Sequence, residues 1–323
     1  MTRVVGGILG RDGSYRDPMW ELDVRLTPLE QQLLRTWEVR RLQFIAHGGA
    51  SMLTTHQTYS RLEHSLGLFA LAAYFDADDL PARAAALLHD IGHLPFSHTF
   101  EGLAGLDHHR LGEQRMLGLR PLLASHGMDV DEVIAIEAGS RPSVLRGKRG
   151  LKLDHLESFL RSGRVHGRLM EPPPQTLKRL WVSEGAVHTD LATATYLAEL
   201  ATGEARYLCS WEDAVANGVM RGLVARLLSG DLLDRIPWMT DDELWAVLLA
   251  DPRTSEDAQR LRRDPMGWEV TLDGGTVDDG VDGYAYQVDK LYLTTACVDG
   301  VPIEFPAAEL PALPWTCRIV WRP

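Results

Sequence analysis

The sequence predicts a mainly α fold, a helical bundle followed by a small C-terminal region that contains strands, and two textures along the chain predict it. From Leu26 to about Leu249, segments such as "PLEQQLLRTWEVRRLQFI", "RLEHSLGLFALAAYF", "LPARAAALLHD" and "WEDAVANGVMRGLVARLLSG" place apolar residues at three- and four-residue spacing, the period of a helix with a buried face. Turn clusters such as "FDADDLP" and "EPPPQ" separate these segments. After "DPMGW" the texture changes: "GYAYQVDKLYLTTACVDGVPIEF" and "TCRIVWRP" are rich in β-branched and aromatic residues and are broken by Asp-Gly turns. The expected division is residues 1–25 as an N-terminal extension, 26–250 as an essentially all-helical domain and 251–323 as an α+β tail, with strands concentrated after Trp268.

Composition narrows the function. A chain of 323 residues, 45% of them hydrophobic, buries a large core. The formal net charge of −12 argues against binding duplex nucleic acid through the overall field, and leaves a local basic patch as the place for a small phosphorylated ligand. Cys209, Cys297 and Cys317 are odd in number and lack CxxC spacing, so neither a zinc knuckle nor a disulfide framework is expected, in keeping with a reducing cytoplasm. The opening "MTRVVGGILGRDGS" has no signal-peptide pattern, and no apolar run reaches the roughly 18 residues of a membrane span. The expected setting is cytoplasmic, with no membrane partner. The tail aromatics Tyr284, Tyr286, Tyr292, Trp315 and Trp321 fall at strand spacing and read as core rather than as a base-stacking platform.

Three clusters of acidic and imidazole groups lie in the helical part: "RLEH" ending at His64, "HDIGHLPFSH" with His89, Asp90, His93 and His98, and "DHLESFLRS" beginning at Asp154. Neutral imidazole with carboxylate suits a divalent transition metal or magnesium. On a helix, His89 and His93 share a face one turn apart, and Asp90 reaches a metal on that face only near the helix end, which Pro95 sets close by. Any one of these residues alone reads more readily as a cap or a satisfied core group. Burying several titratable groups without a counter-ion is costly, so the set points to a cation.

The strings "TYSRLEHSLGLFALA", "ALLHDIGHLPFSHTFE", "HHRLGEQ" and "KLDHLESFLRS" resemble the HD superfamily of metal-dependent phosphohydrolases, in the branch that includes deoxynucleoside triphosphate triphosphohydrolases. "RDPMWELDVRLTPLE" and "RRLQFIAHGGA" are similar to that branch's leading strand and first helix, and the likeness covers roughly Arg16 to Gly167. The resemblance implies a helical HD-domain bundle in which His64, His89, Asp90 and Asp154 bind one divalent metal ion (Mn, Fe, Zn, Ni or Mg). It matches the family's further histidines to His93, His98 and His109, and assigns proton transfer to His109 oriented by Glu101, with the adjacent His108 as the alternative occupant. Arg61 matches a phosphate-contacting arginine. The run "RGKRGLK" adds Lys148, Arg149 and Lys152, read either as phosphate donors or as a solvated loop.

Three positions depart from the family. His155 and Ser158 stand where the triphosphohydrolases have a lysine and a tyrosine, and Ser162 replaces a later aspartate; those family positions grip the triphosphate and sugar, and His155 and Ser158 remain substrate-binding candidates here. The implied function is hydrolysis of a phosphate ester of a nucleotide or nucleotide-like small molecule by metal-activated water, with a nucleoside monophosphate favoured over a triphosphate. The alternatives are a deoxynucleoside triphosphate triphosphohydrolase, a di-iron HD oxygenase using His93 and His98 for a second metal, and a non-catalytic nucleotide-binding HD protein. A homo-oligomer is a further partner expectation.

Overall fold

The computed structural model describes residues 12–147, 149–272, 283–305 and 310–322. An antiparallel pair, β1 (Ser14–Arg16) and β2 (Asp23–Arg25), leads into the first helix, α1 (Pro28–Leu33), where Thr27 and Glu30 cap each other reciprocally. Thr36 caps α2 (Trp37–Arg40). A second reciprocal cap, Ser60 with Glu63, starts α3 (Arg61–Phe75), which is buried on nearly every side and forms the axis of the bundle. Asp79 and Pro81 start α4 (Leu80–Leu88), which packs along α3. Helices α5 (His108–Gly118), α6 (Arg120–Ser125), α7 (Val130–Glu137) and α8 (Leu153–Val165) complete the first layer, with α8 against α3 and α7 against α4.

The region expected to be all helical holds one interruption. After α9 (Pro173–Leu177), the segment "WVSEGAVH" folds as a hairpin of β3 (Trp181–Ser183) and β4 (Ala186–His188), with Val182 opposite Val187. Glu184 and Gly185 both take positive φ, the two-residue turn that matches strand twist. Each strand is three residues long, too short for its alternation to stand out from a helical pattern. Helices α10 (Leu191–Leu208), α11 (Trp211–Leu227), α12 (Asp231–Arg235), α13 (Asp241–Ala250) and α14 (Ser255–Arg263) follow.

The tail supplies β5 (Trp268–Thr271), β6 (Tyr284–Val288), β7 (Cys297–Val298), β8 (Val301–Pro302) and β9 (Trp315–Trp321). β9 lies between β5 and β6 in one antiparallel sheet, which packs on α11. β7 and β8 instead extend the inner hairpin, in the order β3-β4-β7-β8, through a parallel pairing of His188 with Cys297. One apolar cluster fills the space among α3, α4, α7, α8 and α10. A second joins Leu94, Phe96 and Phe100 to α11, α13, α14 and the tail sheet, so residues on both sides of position 250 share one core.

The turn after α4 meets α5 at Gly92. A Cβ there would lie 2.0 Å from the His108 carbonyl oxygen and 2.4 Å from the Gly112 nitrogen, so α5 rests directly on the turn that follows α4. Gly92→Ala is expected to destabilise the protein by about 1–3 kcal/mol through overpacking against backbone, whereas Gly118→Ala, with nothing within 4 Å of its Cβ, should be neutral. Equilibrium unfolding of the two variants side by side checks this.

Candidate active site

α4 ends at Leu88, so His89 and Asp90 occupy the turn leaving the helix, and the shared helical face expected of His89 and His93 does not form. The turn brings both rings to one carboxylate instead: Asp90 Oδ1 lies 3.3 Å from His89 Nε2 and 3.1 Å from His93 Nε2. Asp90 Oδ2 accepts from Arg61 Nη1 at 3.0 Å. Burial opposes the charged carboxylate, but Arg61, His89 and His93 together outweigh it and hold Asp90 well below the usual range. Arg61 also donates to Ser97 Oγ at 2.8 Å and to the His47 carbonyl at 3.3 Å, so all three of its nitrogens are engaged.

His64, in the first turn of α3, faces two carboxylates of α8. Its Nδ1 is 2.5 Å from Glu157 Oε2 and its Nε2 is 3.1 Å from Asp154 Oδ1. With the Nδ1 proton given to Glu157, a neutral imidazole presents a lone pair at Nε2 to a carboxylate that also has only lone pairs. His89 repeats the pattern: Nδ1 donates to the Ala86 carbonyl at 2.9 Å, and the buried Nε2 has no hydrogen-bond partner. The donor atoms of His64, His89 and Asp90 lie within 4.8 Å of one another. Imidazole nitrogens and carboxylate oxygens converging in this way fit a divalent cation, which would take the place of the Nε2 proton of His64, and Glu157 and the Ala86 carbonyl are the outer partners that fix each ring. The same acceptors draw positive charge to this point: burial disfavours a charged His64, yet Glu157 and Asp154 outweigh it and hold the imidazole up at about 10.

A second histidine group adjoins the first. His93 stacks on His108 with centroids 4.3 Å apart, and His98 meets both edge-on at 4.6 and 4.9 Å. Glu101 Oε2 is 2.7 Å from His108 Nδ1. The Glu101 pairing expected for His109 is therefore made by His108. The physical reason is the start of α5: Asp107 caps the helix through the Arg110 nitrogen at 3.1 Å, which turns His108 toward Glu101 and leaves the next residue, His109, exposed.

Both groups open on a cavity of about 870 Å³ whose far wall comes from the tail. It is lined by His64, His89, Asp90, Asp154, His93, His98, Glu101, His108 and His109, and also by Arg61, His155 and Ser158. Arg149 is exposed and does not line it, and Lys148 lies outside the described residues. Arg146 and Lys152 are the cations that this loop contributes. Arg146 pairs with Glu137, whose carboxyl burial pushes up to about 8 against the pull of Arg146. Sequence reasoning missed Glu157, Arg146, Glu137, Lys290 and Tyr292. For Glu157 a signal existed, since it lies one turn after Asp154 and one turn before Arg161 on α8. For Lys290 and Tyr292 none did, because that segment meets α8 only through contacts such as His155 with Thr294, 139 positions apart.

Residues 61–156 match the family model described as HD domain. Among relatives, the chain is 27% identical over 288 residues to the metal-dependent phosphohydrolase cns2 of Cordyceps militaris, covering 83% of this chain and 80% of that protein. It is 34% identical over 149 residues to the protein YwfO of Bacillus subtilis, covering 40% of this chain and 34% of YwfO. The likeness to the human deoxynucleoside triphosphate triphosphohydrolase SAMHD1 is 33% over 94 residues, covering 24% of this chain and 15% of that protein. The match thus spans about a third of YwfO's length and most of that of cns2.

Removing the charge behind His64 should loosen the metal site without removing a ligand. Glu157→Gln is expected to lower Mn²⁺ affinity by about 10- to 100-fold, read by isothermal titration on protein shown to be folded by circular dichroism. Unchanged affinity would mean that Glu157 does not orient His64.

Proposed function

We propose that the protein is a metal-dependent phosphohydrolase that cleaves a phosphate ester of a nucleotide or nucleotide-like small molecule, with His64, His89, Asp90 and Asp154 as the ligands of one divalent metal ion. The observation that carries this reading is the convergence of imidazole nitrogens and carboxylates on one point of a cavity that also holds cationic side chains. A bound divalent ion supplies a Lewis-acid contact to a phosphoryl oxygen and a water of lowered pKa. Arg61 keeps Asp90 ionised and oriented. His108 is the proton carrier: Glu101 takes its Nδ1 proton and leaves Nε2 as the exchanging position, an imidazole held in one tautomer by a carboxylate.

Charge favours a substrate with few negative charges. Arg61 is tied to Asp90 and Arg146 to Glu137. Lys152 and Lys290 line the cavity with no ion pair among the described residues. Two free cations suit a phosphate monoester better than a triphosphate, which carries about four charges that need fixed partners on desolvation.

Mn²⁺-loaded protein incubated with nucleoside mono-, di- and triphosphates is expected to release phosphate from a monophosphate with higher kcat/KM than it attacks any deoxynucleoside triphosphate. Faster triphosphate release would return the protein to the triphosphohydrolase activity, and two metal ions per chain with no phosphate release would favour the di-iron oxygenase. Within this activity His108→Gln should lower kcat by about 100-fold or more, with metal content retained, while His109→Gln should have the smaller effect; the reverse order would move the proton-transfer role to His109.

A further inference from the structure

We infer that Lys290 and Tyr292, in the segment joining β6 to β7, form with Lys152 a clamp that holds the phosphate group of the substrate over the metal ligands; the inference rests on the phosphohydrolase reading above. The segment is fixed in place at both ends. β6 is paired along its length with β9, and β7 with the inner hairpin. Between them, Thr294 Oγ1 lies 3.1 Å from His155 Nδ1, the Thr295 carbonyl accepts from the Leu151 nitrogen at 2.8 Å, and the Thr295 hydroxyl donates to the Ile303 carbonyl at 2.6 Å. These contacts lay the segment across the N-terminal turn of α8, the turn that carries Asp154.

Two donors of the segment face the cavity uncommitted. The Tyr292 ring meets His155 edge-on at 5.5 Å, and the Lys290 ammonium lies 5.0 Å from the centre of the Tyr292 ring. Neither the ammonium nor the tyrosine hydroxyl has a hydrogen bond or ion pair among the described residues. Their surroundings locate them. After burial, the charges acting on the Tyr292 hydroxyl are those of Arg61, Asp154 and Glu101, and Lys290 acts in turn on Lys152 and His155. The other cations of the cavity are occupied: Arg61 by Asp90, Arg146 by Glu137, and Arg221 by the carbonyls of Thr99 and Glu101 at 3.0 Å each. A phosphate dianion presents only acceptors, and Lys152, Lys290 and Tyr292 are donors left for it. A lysine and a tyrosine from the tail thus face His155, where the resemblance implied a lysine, on the same helix as Ser158, where it implied a tyrosine.

The test reads binding apart from turnover. Inorganic phosphate is titrated calorimetrically into Mn²⁺-loaded full-length protein. Lys290→Met is expected to weaken phosphate binding by about 10- to 100-fold and Tyr292→Phe by a smaller factor, with metal stoichiometry unchanged, and Lys290→Arg should recover most of the loss. For a hydrolysed monophosphate, Lys290→Met should raise KM more than it lowers kcat. Equal phosphate affinity in wild type and Lys290→Met, or no phosphate binding by wild type, would overturn the clamp. Wild type that binds phosphate through Lys290 but hydrolyses no ester would support the clamp and sink the phosphohydrolase reading instead.

Discussion

The carboxylate of Glu157, fully buried between α3 and α8, is the constraint on which the site depends. It accepts from His64 Nδ1 at 2.5 Å and from Arg161 Nε at 2.7 Å, with Arg161 Nη2 in ion-pair contact at 2.5 Å. Burial penalises its charge, and Arg161 and His64 outweigh the penalty so that it stays ionised. Arg161 reaches on toward Asp17 at 3.9 Å, whose own carboxylate is held by the nitrogens of Met19 and Trp20 and the hydroxyl of Tyr15. Removing one member of such a chain leaves an uncompensated buried charge, a loss of about 3–5 kcal/mol. The chain also sets helix register. A Cβ on Gly67 would fall 2.2 Å from Glu157 Oε1, so α8 reaches α3 only because glycine stands one turn after His64. With that register fixed, Asp154, one turn before Glu157, has to face the other nitrogen of His64.

The opposite half of the site is held from the second core. Arg41 donates to the His93 carbonyl at 2.8 Å and to the Met239 carbonyl at 2.6 Å, and Arg115 bridges the carbonyls of Ile91 and Pro237. Asp241, at the start of α13, accepts from the nitrogens of Phe96 and Ala46 at 2.6 and 2.8 Å. Phe96 and Ser97 both take positive φ, a conformation costly for non-glycine residues, and these bonds hold the turn in it. The Ser97 hydroxyl then receives Arg61 Nε, which closes the circuit back to Asp90. The proposed metal ligands therefore sit at a seam: first-core helices supply His64 and Asp154, and the turn bearing Asp90 is tied down by α13 and the segment before it.

Much of this was legible in the sequence, and the limits have physical causes. Helical period marked the bundle, and "HDIGH" with "RLEH" marked the imidazole and carboxylate groups that the structure brings together, because local spacing controls those features. The β3–β4 hairpin was not legible, since its short strands gain stability from pairing with β7, which the chain reaches only after five more α-helices and two more strands. The choice of His108 over His109 turned on a single position in the cap of α5, finer than periodicity resolves. Arg149 and Arg146 show the same limit for charge runs. The run was visible, while which member faced the cavity depended on a loop with no period of its own.

The contrast between the whole surface and the cavity bears on which anion can use it. A net charge of −12 repels an approaching phosphate compound in proportion to the charge it carries, so a polyphosphate meets a higher barrier than a monoester before any contact forms. Inside the cavity, Lys152 and Lys290, which make no ion pair among the described residues, offer a local attraction. Screening at physiological salt confines that attraction to within about 8 Å, so the cations act as a local trap and do not steer ligands from a distance. A site built in this way gains by making its few free donors converge on one small dianionic group. The tail does this by laying Lys290 and Tyr292 across the helix that already carries Asp154, so that the proposed phosphate clamp comes from the last strands of the chain while the proposed metal ligands come from its helices and the turn after α4.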